Sequence, residues 1–350
     1  MEIKKMGILK FILLAAIIIV GIVVYVSWES RNRAASVTVY TSIDEPLAGK
    51  IFREFERETG TPVRGVFDSE QTKSLGLVGR LLAEASRPQA DVFWSGDPAH
   101  SLLLLNRGIV QPYISSVGVD IPSEFKSPDG NWTGLAARAR VLLVNKNAMP
   151  PGEEMPSSIY DLANPRWKGQ AAIGNPMFGT ASFQIAALFT TWGEEKGKEF
   201  LNDLKVNDVR IARSHAEVNR LVVGGEVVFG LLDTDDAVEA MKEQRNLEVV
   251  YPDQKGMGTL VIPSTLVLIR GGPNTDGGKK LIDFLLSNKV ERQMVKAGNY
   301  LPIRPGIPGP PGIRSISDFK KMQVNYSKVA DEMNEEMVPI QPWLRQWLAR

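Results

Sequence analysis

The chain has 350 residues, 43% of them apolar, with 41 Lys plus Arg against 40 Asp plus Glu and no cysteine. That length and balance suit about two globular domains with a sizeable core and argue against a disordered chain. They also exclude the basic excess that follows a nucleic-acid backbone. Without thiols there is no disulfide, no lipid-modified cysteine and no thiolate ligand or nucleophile.

The first element is a membrane-targeting segment. Lys4, Lys5 and Lys10 precede FILLAAIIIVGIVVYV, and the sequence turns polar at SWESRNRAAS. Residues 11–28 are long enough to cross roughly 27 Å as a helix, and no good small-x-small cleavage site follows, since Asn32 and Arg33 stand ahead of Ala34 and Ala35. Residues 1–35 are therefore expected to be a signal anchor, or alternatively a cleaved signal peptide, plus a linker. Either outcome places the remainder outside the cytoplasm.

Beyond it, strand and helix patterns alternate. SVTVYTS (36–42) reads as a strand, and IDEPLAGKIFREFERETG (43–60) as a helix with Leu47, Ile51, Phe52 and Phe55 on one face and Gly60 closing it. TPVRGVF (61–67) and ADVFWSG (90–96) read as strands, QTKSLGLVGRLLAEA (71–85) and HSLLLLNRG (100–108) as helices. In the second half ARVLLVN (139–145), QAAIG (170–174), VRIA (209–212), EVVFGLLD (226–233) and LEVVYP (247–252) are expected strands, and residues 181–204 a helix broken near Gly193. TLVIPSTLVLIRGG (259–272) is a long β run in which Pro263 predicts a bend or crossing. Residues 279–298 read as one helix, 302–312 as an irregular Pro/Gly connector, and the tail as partly helical, with Trp343 and Trp347 docking on the core. Alternation of this kind implies parallel pairing in an α/β fold, whose ligands bind beyond the carboxyl ends of the strands.

Several motifs fail on inspection. GGPNTDGGKK lacks the Gly and the Ser/Thr of a phosphate loop, having Pro273 and Lys280 there. DTDDAVEAMKEQ has Val238 and Gln244 where a calcium loop needs Gly and Glu. There is no H-E-x-x-H or G-x-S-x-G, and His100 and His215 read as helix-surface or capping residues rather than general bases.

VYTSIDEPLA, FDSEQTKSLGLVGRLLAE, PQADVFWSGDP, WTGLAARARVLLVN, SIYDLANPRWKGQAAIGNPMFGTASF and GLLDTDDA, in that order behind an export segment, resemble the ferric-iron-binding branch of the type II periplasmic binding proteins of ABC importers. The resemblance covers most of residues 36 to about 305. It implies two α/β domains joined by two β crossovers, with ligand held in the cleft between them. The divisions would be 36–138 plus 264–300, and 139–263 plus 301–350 with the tail. It also implies a permease and its ATPase as partners, ferric iron as cargo, and no catalysis. The adjacent tyrosines with which that branch grips iron are absent; Asp233-Thr234-Asp235-Asp236 stand in their place, and Ile43-Asp44-Glu45 where some relatives offer His and Glu.

Strand ends and the resemblance together nominate Ser42, Glu45, Asp68, Thr72, Trp94, Asn175, Gly179, Thr180, Asp233, Thr234 and Asp235 as ligand contacts, with Glu45, Asp233 and Asp235 as metal ligands. Hard oxygen donors suit ferric iron or an ammonium group, whereas the helix start at Gly179 to Ala181 suits an anion. The carboxylates have a plainer use as well. Asp233 or Thr234 capping the helix DDAVEAMKE, with Asp235 and Asp236 in its first turn, would contribute a few tenths to about 1 kcal/mol each. Three functions stay open: capture of ferric iron or a ferric complex, capture of an organic solute such as an aminoalkylphosphonate, and a membrane-tethered sensor or enzyme on the same scaffold.

Overall fold

The structure is a computed structural model that describes residues 36–68, 75–333 and 340–349. The expected membrane segment and Thr72 lie outside these residues. No helix among the described residues is long and apolar enough to cross a membrane.

One sheet organises the molecule. Strands β1 (Val37–Thr41), β2 (Val63–Phe67), β3 (Val92–Ser95), β4 (Val110–Gln111), β5 (Thr133–Asn145), β6 (Ala171–Gly174), β7 (Arg210–Ala212), β8 (Phe229–Asp233), β9 (Leu247–Val250) and β10 (Val261–Ile269) lie in the order β2-β1-β3-β10-β5-β8-β6-β7. β4 pairs with β10 and β9 with β5. The outer groups are parallel, β1 with β2 and β3, and β6 with β7 and β8. Their connections are the helices that the sequence alternation requires: α1 (Glu45–Thr59), α2 (Leu75–Ala83), α3 (Pro98–Asn106), α4 (Gly179–Trp192), α5 (Glu194–Val206), α6 (His215–Val223), α7 (Thr234–Glu243), α8 (Thr275–Leu285), α9 (Asn288–Gly298), α10 (Tyr326–Met333) and α11 (Ile340–Ala349).

The local causes are visible. α1 buries Leu47, Ile51, Phe52 and Phe55 along one stripe and stops at Gly60, whose φ of 69° lets its N–H reach back to Glu56. The expected break at Gly193 divides α4 from α5, with φ 85°. Residues 279–298 depart from expectation by forming two helices: Ser287 accepts from the Val290 N–H and caps α9, because a Ser side chain competes for backbone donors at a helix start.

β5 is longer than its expected range and joins the two halves of the sheet. Its first part, Thr133 to Ala139, pairs antiparallel with β10, and its second, Arg140 to Val144, pairs with β8. The register with β10 shifts between Pro263 and Ser264. Ala137 faces Pro263 and Leu135 faces Ser264, so Ala136 is the unpaired extra residue of a bulge, at φ 53°. The tail returns across the molecule. Tyr326 on α10 lies edge-on to Trp132 at 6.1 Å and near Phe183 at 6.2 Å, and donates to the Val261 carbonyl. Trp347 is buried against the core as expected, with Trp343 tilted on Phe189.

Candidate functional site

The carboxyl ends of β1, β3, β6, β7 and β8 open on one cleft of about 300 Å³, lined among others by Ser42, Asp44, Asp97, Arg138, Asn175, Thr180, His215, Asp235 and Tyr300. At its centre is Asp233, the last residue of β8 and 1% exposed. Charge buried this deeply must be paired. The antiparallel register puts Arg140 opposite Asp233, and Arg140 Nη1 donates to Asp233 Oδ1 at 2.8 Å while the Thr180 hydroxyl donates to Oδ2 at 2.6 Å. Burial alone would raise this carboxyl, yet Arg140, His215 and Arg138 hold it well below the ordinary carboxylate range.

Two residues earlier on the same strand, Arg138 reaches into the cleft. Its Nη1 lies 3.6 Å from Asp233 and 3.9 Å from Asp235, and its Nη2 donates to the Gly96 carbonyl at 2.7 Å. The guanidinium also stands 5.4 Å from the centre of the Tyr300 ring. Burial pushes the Tyr300 phenol upward, and nearby Asp235 adds to the rise against the pull of Arg138, so this phenol stays protonated at neutral pH. Asp235 is also raised well above the ordinary range, by burial and then by repulsion from Asp236.

His215 opens α6 beside the carboxylates. Its Nε2 is 3.1 Å from Arg140 Nη1 and its Nδ1 is 3.1 Å from Asp236 Oδ2. An arginine only donates, so Nε2 accepts and the proton sits on Nδ1, directed at Asp236. The ring fits there because residue 174 is glycine: a Cβ would lie 2.7 Å from His215 Cδ2. His215, Asp233 and Asp236 each offer one atom within 4.8 Å of the others, a spacing able to hold a metal ion. Beside them the first turn of α4 has no side-chain cap, and uncapped N–H groups at a helix start favour an anion.

The nominated residues divide accordingly. Ser42, Asn175, Gly179, Thr180, Asp233 and Asp235 come together on the cleft. Ser42 is fixed there by accepting from the Gly96 N–H, and Asn175 by accepting from the Met177 N–H. Glu45 is an exposed first-turn residue of α1, and its neighbour Asp44 lines the cleft instead. Asp68, at the end of β2, is not among the lining residues, and its charge acts on His100. Trp94 is fully buried, edge-on to Phe52 at 6.1 Å, which makes it core and not a cleft wall. Thr234 is buried and accepts from the Ala139 N–H. Asp233 occupies the cap position of α7, but its side chain makes no cap bond, since Arg140 and Thr180 take both oxygens.

Sequence reasoning missed Arg138, Arg140, His215 and Tyr300. The available signal was ARARV itself, two cations inside an otherwise apolar strand, where each needs a partner.

At the cleft wall Asp97 caps α3 and binds His100 Nδ1 at 2.8 Å, both residues buried. Burial opposes charge on both, but each favours it on the other, so His100 is raised above 6.5 and Asp97 lowered below 3.8. The histidine's contribution is complete below about pH 6.5 and is lost as pH rises through its folded value; the aspartate's is complete above about 3.8 and is lost as pH falls. Melting temperature is expected to decline from pH 6.5 to 9 in the wild type, and the decline should flatten in His100→Gln; parallel slopes would remove the pair from this role.

Comparison with known proteins fits this architecture. The profile of the bacterial extracellular solute-binding proteins matches residues 87–311. The chain belongs to that family. This binding protein is 29% identical over 313 residues to iron uptake protein A1 of Synechocystis sp., covering 86% of this chain and 85% of the relative. It is 25% identical to a putative 2-aminoethylphosphonate-binding periplasmic protein of Salmonella typhimurium, covering 72% of this chain and 73% of that one. The ferric binding protein from Campylobacter jejuni has the same fold, with a TM-score of 0.78 at 22% identity over 88% of this chain and 99% of its own.

Proposed function

We propose that the protein captures ferric iron as a complex with an organic anion and delivers it to an ABC permease and its ATPase. The observation that carries this reading is the meeting of two opposite sites in one cleft: His215, Asp233 and Asp236 within metal-ligating distance, and Arg138 with the uncapped start of α4 beside them. Carboxylate oxygens are hard donors suited to ferric iron. A metal taking His215 Nδ1 replaces its proton, and Asp236, already at 3.1 Å, follows it. Bare iron would bring no anion to the cationic side of the cleft at Arg138 and the α4 N–H groups, and the cleft is larger than one ion requires. The names of the iron-uptake and ferric-binding relatives support the cargo.

In this reading the two halves of the sheet are the domains of a hinged clamp, 36–138 plus 264–300 and 139–263 plus 301–350, with β5 and β10 as the crossovers. Residues 11–28 tether the clamp on the outer face of the membrane.

A second reading is favoured by the pairing of Asp233 with Arg140, which consumes one carboxylate and leaves the cleft balanced for a zwitterion. An aminoalkylphosphonate would place its ammonium on Asp235 and Asp236 and its phosphonate on Arg138. Calorimetric titration of chelator-treated protein separates the two. Ferric citrate is expected to bind at least a hundredfold tighter than citrate alone or 2-aminoethylphosphonate, and tighter binding of the metal-free phosphonate would overturn the iron reading.

A further inference from the structure

A second and larger cavity, about 640 Å³, lies away from the cleft between α7, α9 and the connector Ile307 to Pro311. Its volume is within the range of small-molecule sites. Val238 and Met241 come from α7, Val295 from α9, and Ile307 and Pro310 from the connector, so three separate elements converge on an apolar floor. The rim is cationic. Lys242 is occupied by Glu239 at 2.6 Å, whereas Arg292 and Lys296, one turn apart on α9, have no ion-pair or hydrogen-bond partner among the described residues. Among the described residues no carboxylate lines this cavity.

We propose that this groove is a second ligand site, for an amphipathic organic anion whose apolar body lies on Val238, Met241 and Val295 and whose carboxylate or sulfonate meets Arg292 and Lys296. Two unpaired cations beside desolvated aliphatic side chains select for that combination: an apolar neutral molecule gains nothing from the rim, and a small hydrophilic anion gains nothing from the floor. The walls also matter for the rest of the molecule. α7 carries Asp235 and Asp236 in its first turn, α9 leads into Tyr300, and Asn299 donates across the seam to Glu239, so an occupant would touch the two helices whose ends line the cleft. The proposal does not depend on which cargo the cleft holds.

The test uses two fluorescent probes with the same aromatic body, anionic anilinonaphthalene sulfonate and neutral phenylnaphthylamine, titrated into the folded protein. One sulfonate probe per chain is expected to bind at least tenfold tighter than the neutral probe, with decanoate displacing it and decanol failing to. Arg292→Glu with Lys296→Glu is expected to weaken the sulfonate probe at least tenfold while leaving the melting temperature unchanged. Met241→Glu, which puts a like charge on the floor, gives an independent reading in the same direction. Equal binding of the two probes, or sulfonate binding indifferent to both variants, would overturn the proposal.

Discussion

Replacing Arg140 with methionine is expected to destabilise the protein by about 3–5 kcal/mol, measured by urea unfolding at pH 7. The loss comes from what stays behind. Asp233 remains buried with the Thr180 hydroxyl, Arg138 at 3.6 Å and His215 at 3.7 Å as its remaining partners, and none of them replaces a direct ion pair at 2.8 Å. Replacing both members of the pair, Arg140→Met with Asp233→Leu, is expected to cost less than Arg140→Met alone, since no uncompensated charge is then left in the core. The wild type should also lose stability in acid, because a carboxyl depressed in the folded state contributes above about pH 3.8 and its contribution disappears as pH falls through the folded value. A loss under about 1 kcal/mol for the single variant would mean that Asp233 is solvated or protonated and the pair is not a structural charge pair.

Arg138→Ala should act on binding instead. We expect affinity for ferric citrate to fall about a hundredfold, near 2.7 kcal/mol, with a small change in melting temperature, since Arg138 is 17% exposed at the cleft edge while Arg140 is 2%. Arg138→Lys should recover part of the loss, because an ammonium keeps the charge but not the planar fork. Unchanged calorimetric affinity in Arg138→Ala would remove this residue as the anion's anchor and turn attention to the α4 N–H groups alone.

The two arginines also show where reading the sequence stops. The alternation of elements, the helix stop at Gly60, the break at Gly193 and the irregular connector follow from periodicity and from Gly and Pro chemistry, which are local. That Asp233 is neutralised follows from the register of β5 on β8, which joins residues 93 positions apart; ARARV shows that its cations need partners, and neither segment shows which. Without that register the acidic run at 233–236 reads as an open cation site. With it, Asp233 is a charge-paired carboxylate on the cleft wall, beside Asp235, Asp236 and His215. Trp94 and Glu45 fell on the other side of the same boundary. A strand-end position allows either burial or cleft exposure, and only the packing of Phe52 and the turn at Asp44 decides between them.

Ala136 gives the cleft its sidedness. Successive strand residues point to opposite faces, so an odd insertion reverses the facing of everything after it. Ala136 is such an insertion, placed two residues before Arg138 and four before Arg140. With the upstream pairing of Thr133 to Leu135 on β10 held, an in-frame deletion of this one alanine would keep every charged residue in the chain and still turn both guanidinium groups to the opposite face of the sheet, leaving Asp233 without its counter-charge. The count of residues in this strand therefore matters as much to the chemistry of the cleft as their identity.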